Sequence, residues 1–294
     1  MEVYHLTHPL KGSLYPREPH VMALGFFDGV HLGHQSLLME TKKIAEKNNL
    51  KFTAMTFDPH PNEVIKLEKD WRYITPLALK IERMAAIGVD KLFVIKFNLS
   101  FASLLPSDFI KQYVLGLQAK HLVVGFDFTF GKKAQGTADY LQKMSKNNPF
   151  DVTVISKQVH NGEKISSTII RKIVRDGDVH LVPYYMGHHF EIKGVVYGSN
   201  RHKHEKKKNM EFHTENKYIL PAPGVYRVEI KTWNKTCQGL FIRYGSSRKN
   251  DEISGQVIEM LKGGVVEEVT VKFLKQIPFE SKSQCSTNFK EVIK

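Results

Sequence analysis

The stretch Ala23-Leu24-Gly25-Phe26-Phe27-Asp28-Gly29-Val30-His31-Leu32-Gly33-His34-Gln35 decides how the chain is read. It starts inside an apolar run, 21–27, that predicts a β-strand, and it leads into Leu37, Leu38, Thr41, Ile44 and Ala45, which fall on one helical stripe. A strand that turns through glycines into a helix is the opening unit of an α/β sheet, where ligands bind at the carboxyl ends of the strands. Gly25, Gly29 and Gly33 let the backbone turn tightly and approach a phosphate, while the helix start offers unpaired N–H groups and a partial positive charge. His31 and His34, three residues apart, can point the same way and donate hydrogen bonds to charge developing as a phosphoanhydride is cleaved. An ordinary Gly-rich turn with two surface histidines would match the same few residues. The agreement of strand, glycines and helix around them favours the ligand-binding reading.

Working outward, apolar runs at 51–57, 91–97, 121–125 and 151–156 alternate with helical segments, one carrying Leu77, Ile81, Met84, Ala85 and Ile87 on a single stripe. Pro76 and Pro106 stand where helices should begin, and Gly88 and Gly116 near their ends. This predicts an α/β domain over 1–186 with a Rossmann-like, doubly wound parallel sheet. After Met186 the pattern changes to period two, in Phe190, Ile192, Gly194 and Val196, in Val225, Arg227, Glu229 and Lys231, and in Val269, Val271 and Phe273. A small antiparallel β domain over 187–294 is expected, with 198–217 as an exposed loop.

Composition agrees and excludes several classes. The 294 residues suffice for two domains, and 41% hydrophobic with 25% charged residues is globular and not disordered. Two cysteines, Cys237 and Cys285, cannot build a disulfide framework or a four-thiolate zinc site, so a reducing, cytoplasmic location is expected. Residues 1–10 do not read as a signal peptide, and no apolar run is long enough to span a membrane. The net charge of +13 suits an anionic partner, either a nucleotide or a nucleic acid. It is densest late in the chain, where 201–208 holds five basic side chains and two histidines. His180, His188, His189, His202, His204 and His213 invite a metal reading, but zinc needs three or four ligands in defined geometry and no metal ligand is assigned.

Three further segments follow the first in order: Thr56-Phe57-Asp58-Pro59-His60-Pro61, Val124-Gly125-Phe126-Asp127-Phe128-Thr129-Phe130-Gly131 and Ile165-Ser166-Ser167-Thr168-Ile169-Ile170-Arg171. On their own, the prolines stiffen a loop, alternating phenylalanines serve as core, and Ser166, Ser167 and Thr168 cap a helix. Together with Gly25-x-Phe27-Asp28-Gly29-x-His31-x-Gly33-His34, they resemble the nucleotidyltransferase domain of the bacterial FAD synthetases, whose usual form is a bifunctional riboflavin kinase and FMN adenylyltransferase. The resemblance implies FMN and ATP as small-molecule substrates, with Mg2+ accompanying ATP, and neither a membrane nor a nucleic acid as primary partner. It implies catalytic roles for His31 and His34. ATP would be bound by Gly25, Phe26, Phe27, Asp28, Gly33, His34, Ser166, Ser167, Thr168 and Arg171, and FMN by Asp58, His60, Pro61, Asp127, Phe128 and Phe130. Related nucleotidyltransferases use paired histidines on other phosphorylated acceptors, and the Phe-rich loop around Asp127 argues for a flavin.

The second domain departs from that family. Its relatives carry a six-stranded β-barrel kinase marked by Gly-Phe-Pro-Thr-Ala-Asn, whereas here Ser199-Asn200-Arg201-His202-Lys203-His204-Glu205 and the residues to Phe212 stand in its place. Pro223-Gly224-Val225-Tyr226 still resembles the family's Gly-Val-Tyr strand, so a barrel is expected to persist. The family's catalytic glutamate would fall near Ser254, with Glu252 and Glu259 close by. Loss of the phosphate- and metal-orienting motif implies that kinase activity is absent or vestigial, with a bifunctional enzyme as the alternative.

Overall fold

A computed structural model describes residues 1–10, 17–68, 70–198, 209–214, 216–244, 255–258 and 267–278. The chain divides into two compact units, Met1–Ser167 and Thr168–Lys294, so residues 168–186 group with the second.

The first unit contains β1 (Glu2–Leu6), β2 (His20–Leu24), α1 (Leu32–Lys47), β3 (Lys51–Asp58), α2 (Pro61–Ile65), α3 (Leu77–Ile87), β4 (Lys91–Lys96), α4 (Leu99–Ala102) and α5 (Pro106–Phe109), which runs into a π-helical turn, Ile110–Leu115. After β5 (Ala119–Gly125) come a hairpin of β6 (Thr129–Phe130) and β7 (Gly136–Thr137), α6 (Ala138–Ser145), β8 (Asp151–Ile155) and a hairpin of β9 (Val159–His160) and β10 (Glu163–Lys164). The main sheet has the order β1-β4-β3-β2-β5-β8, and all its pairs are parallel. From β2 the chain steps outward through β3 to β4, then returns to the other side of β2 as β5 and β8. The direction of winding reverses between β2 and β5, the position where open α/β sheets bind ligands.

Alternation along the strands builds a core on each face. Val21 and Ala23 of β2 pack with Leu37, Leu38 and Met84 from α1 and α3, whereas Met22 and Leu24 pack with Phe109, Ile110, Tyr113 and Leu141 on the other side. Two local expectations are corrected, and one strand is added. The strand expected over 21–27 ends at Leu24, because the chain turns and Phe27 takes a positive φ of 58°. The stripe on α3 buries Leu79, Lys80 and Met84 and leaves Ala85 exposed. At the sheet edge, β1 pairs with β4 although its short, half-polar sequence has no periodic signal.

The second unit contains most of α7 (Ser167–Asp176), then α8 (Val182–Met186) and six antiparallel strands: β11 (Phe190–Gly198), β12 (Asn209–His213), β13 (Gly224–Lys231), β14 (Thr236–Arg243), β15 (Gly255–Ile258) and β16 (Glu267–Ile277). They close as a barrel in the order β11-β12-β15-β14-β13-β16. Asn209–His213 lies within the expected loop 198–217 but pairs with β11 and β15, and its Phe212 is fully buried; sheet pairing overrides a polar sequence. On β13, Tyr226, Val228 and Ile230 point inward, and Arg227, Glu229 and Lys231 outward. Residues 199–208, which include His202 and His204, lie outside the described residues, as do Glu252, Ser254 and Glu259. Among the described residues, no helix is long and apolar enough to cross a membrane.

Phe273 centres the barrel, its ring 5.2 Å from Phe241, 5.5 Å from Tyr226 and 5.6 Å from Phe190. Phe273→Ala is expected to lower unfolding stability by about 3–5 kcal/mol in a urea titration of the full chain. A loss below about 1 kcal/mol would contradict this packing.

Candidate active site

The loop after β2 is held in place before any ligand arrives. Gly25 lies against the buried Phe27 ring, so close that a Cβ there would come within 2.9 Å of it. Asp28 is buried, and its Oδ1 accepts the backbone N–H groups of Ile74 and Thr75, both at 3.0 Å. Gly29, at φ 86°, donates its N–H to Thr75 Oγ1 at 2.7 Å. The Ser167 hydroxyl donates to the Asp28 carbonyl at 2.8 Å, which joins the fourth motif to the first. Asp28 thus acts on the loop from inside, through hydrogen bonds to the chain itself.

His31 is the N-cap of α1, and its Nδ1 accepts the His34 N–H at 3.2 Å. With Nδ1 an acceptor, the neutral ring carries its proton on Nε2. The His31 and His34 rings stack at 3.6 Å and 14°, and His34 meets the edge of Phe27 at 5.2 Å. Gly33 lies between them in the first turn of α1. Burial pushes His31 down to about 4; the charge of Lys164 acts in the same direction, while a backbone hydrogen bond and Asp127 oppose it. Burial, then His31 and Lys80, holds His34 well below the ordinary imidazole value. Both rings are therefore neutral at pH 7, and His34 Nδ1 is buried without a hydrogen-bond partner.

Beside this turn, at the end of β3, Asp58 is half-buried and Pro61 opens α2. His60 caps α2, accepting the Asn62 N–H at Nδ1 at 3.0 Å and donating its own backbone N–H to Tyr73 Oη at 2.9 Å. Its ring stacks on Trp71 at 3.9 Å and meets Phe26 edge-on at 4.3 Å. Tyr73 donates its hydroxyl to Glu63, and burial with that contact raises its pKa. Lys80, only 2% exposed, reaches in from α3; burial holds it down at about 8, with Asp28 and Asp58 opposing. Trp71, Tyr73 and Lys80 were not singled out in the sequence. Their signal was an aromatic pair just ahead of Pro76 and a lysine within an apolar helical stripe.

On the other side of β2, after β5, Asp127 and Phe126 are exposed. Lys164 pairs with Asp127 and lies 4.7 Å from the Phe126 ring centre. Phe128 is half-buried and stacks on Phe130 at 5.8 Å. Phe130 itself is buried against Phe109 at 4.9 Å, so its ring belongs to the core and supports Phe128 from behind. Ser166 is half-buried just before Ser167, while exposed Thr168 and buried Arg171 lie on α7 in the second unit. The register places Leu24 between Met55 and Val124, so the loops carrying His31, His60 and Asp127 leave neighbouring strand ends. Among the described residues, no group of three or more His, Cys, Asp or Glu could hold a metal ion.

The chain is similar to known proteins. Residues 15–169 match the family model for FAD synthetase. The bifunctional riboflavin kinase/FMN adenylyltransferase of Bacillus subtilis (strain 168) is 39% identical over 248 residues, 82% of this chain and 76% of that protein. Its Listeria monocytogenes counterpart is 36% identical over 86% of this chain and 81% of its own length. A second Listeria monocytogenes protein, named FAD synthetase, is 34% identical over 80% of this chain and 90% of that one. The crystal structure of a macrolide-efflux protein from Streptococcus pneumoniae matches with a TM-score of 0.84 and 26% identity, over 99% of this chain and 97% of that one. Matched by the family model over more than half its length, and more than one-third identical to such enzymes over four-fifths of it, the chain belongs to the FAD synthetase family.

Proposed function

We propose that this FMN adenylyltransferase works through its first 186 residues, with 187–294 forming a barrel that has lost riboflavin kinase activity. The observation that carries the catalytic part is the stacked, neutral pair of histidines at the start of α1, on the strand end where the winding reverses. A phosphate oxygen of FMN attacks the α-phosphorus of ATP, the bond to the bridging oxygen of pyrophosphate breaks, and FAD and pyrophosphate result. No protein nucleophile is needed. The chain's task is to align the two phosphates and offset the charge that builds on them.

His31 donates from Nε2–H to the phosphate oxygens, and His34 stacks behind it as the second donor. Gly25, Phe26, Phe27, Asp28 and Gly33 shape the nucleotide side, and Ser166, Ser167, Thr168 and Arg171 hold the triphosphate. Asp58, His60, Pro61, Asp127 and Phe128 hold FMN, with Phe130 supporting from the core. ATP brings Mg2+, which neutralises phosphate charge. The residues suit an ion held by substrate oxygens, because Asp28 is turned inward onto backbone N–H groups and Asp127 is paired with Lys164. Loss of kinase activity is supported by the sequence at 199–212, which lacks the motif that orients metal and phosphate. The cysteine content supports a cytoplasmic setting.

Three outcomes follow. His31→Asn keeps an N-cap acceptor but removes the imidazole, so kcat for FAD formation should fall about 100-fold or more with the melting temperature little changed; full activity would refute the assigned site. Incubated with Mg-ATP and either flavin, the purified chain should convert FMN to FAD and leave riboflavin untouched; FMN appearing from riboflavin, separated by chromatography, restores the bifunctional reading. The third concerns pH. His31 binds its proton near pH 4 when folded and near 6.5 when unfolded, so the unfolded chain takes up more protons between these values. Stability from this group is complete above about pH 6.5 and is lost as pH falls toward 4. Urea unfolding should find about 2 kcal/mol less stability at pH 5 than at pH 7 from this source, and His31→Asn should flatten the slope by that amount.

A further inference from the structure

Lys80 is the most deeply buried cation near the proposed site, yet its hydrogen bonds go to neutral oxygens. Its Nζ donates to the Phe26 carbonyl at 2.7 Å and to Thr56 Oγ1 at 3.2 Å, and lies 4.1 Å from the centre of the Phe26 ring. Thr56 in turn donates its hydroxyl to the same Phe26 carbonyl at 2.8 Å. The charges of Asp28 and Asp58 act on it without a hydrogen bond and offset only part of the effect of burial, so an ammonium here costs stability relative to an apolar side chain of similar length, and folding alone does not account for this residue.

Its location does. Phe26 belongs to the loop after β2 that carries Asp28 and His31, and its ring meets His60 edge-on. Thr56 lies near the end of β3, two residues before Asp58. The ammonium therefore bridges the two strand ends from which the ATP loop and part of the FMN loop depart, and it fixes both the peptide and the ring of Phe26.

We infer that Lys80 is a positioning residue for adenylyl transfer, one that locks the loop after β2 to the end of β3 and so sets the two substrates in line with each other. The inference rests on the functional reading above. It assigns Lys80 to the alignment step and not to the binding of either substrate alone, because alignment is where a displacement of about 1 Å is most costly.

The test uses the full chain with Lys80→Met, Thr56→Val and Thr56→Ser. The measurements are kcat and KM for FAD formation, affinity for FMN alone by flavin fluorescence, affinity for Mg-ATP alone by calorimetry, and melting temperature. Lys80→Met is expected to fold with a melting temperature at or above that of the wild type, to bind each substrate within about threefold of wild type, and to lose kcat by about 30- to 100-fold. Thr56→Val, which removes one end of the bridge and no charge, should lower kcat by about three- to tenfold, and Thr56→Ser should restore it. The valine and serine pair decides the matter if Lys80→Met does not fold. A Lys80→Met kcat within twofold of wild type overturns the inference alone. So does a loss of affinity that parallels the loss of kcat, or a Thr56→Val variant no slower than Thr56→Ser. A wild-type chain that forms no FAD overturns the functional reading and this inference with it.

Discussion

The tie between two chain segments far apart in sequence holds the site together. The buried Asp28 carboxylate accepts from the N–H groups of Ile74 and Thr75, and Gly29 donates to the Thr75 hydroxyl. These three bonds form away from water, so they count for more than surface contacts of the same kind, and breaking one leaves a buried polar group unsatisfied. They set the path of the chain from Gly25 to Val30, which in turn decides where α1 begins and which way the ring of His31 points. Ser167 then fastens to the carbonyl of the same aspartate. His31 and His34 are thus held by a scaffold whose polar groups are used internally.

The sheet supplies the other constraint. Because β2 lies between β3 and β5, loops from three separate parts of the sequence leave one edge of the sheet side by side. Each loop brings a different chemistry: stacked imidazoles, an aromatic cluster around His60, and an exposed acidic and aromatic pair at Asp127 and Phe126.

Much of this was legible in the sequence, for identifiable reasons. The strand-turn-helix order with His31 at the start of α1, and the helix limits at Pro76 and Gly88, are local features, and a local reading sufficed for them, though not for the end of the strand at Leu24. What depends on tertiary contact was not legible. Which of the alternating phenylalanines serves as core depends on a distant contact, since Phe130 is buried against Phe109, more than twenty residues earlier, while Phe126 is exposed. The partners of Lys80 leave no signal in its own segment, because Phe26 and Thr56, which accept from its amine, lie far from it in the sequence. Strand β12 has a sequence that reads as loop and becomes a strand only through neighbours on both sides. Trp71 was passed over because nothing in its own segment connects it to His60.

The neutrality of the two stacked histidines has a consequence for ionic strength. Uncharged N–H donors act over a few ångströms, well inside the screening length of about 8 Å in physiological salt. Any long-range pull on anionic substrates must therefore come from the chain's +13 net charge, and salt weakens that pull. In the proposed mechanism, capture and chemistry are thus served by different features of the same molecule. Raising the salt concentration would then slow how often substrates arrive and leave largely intact the dipoles proposed to act on them once they are bound.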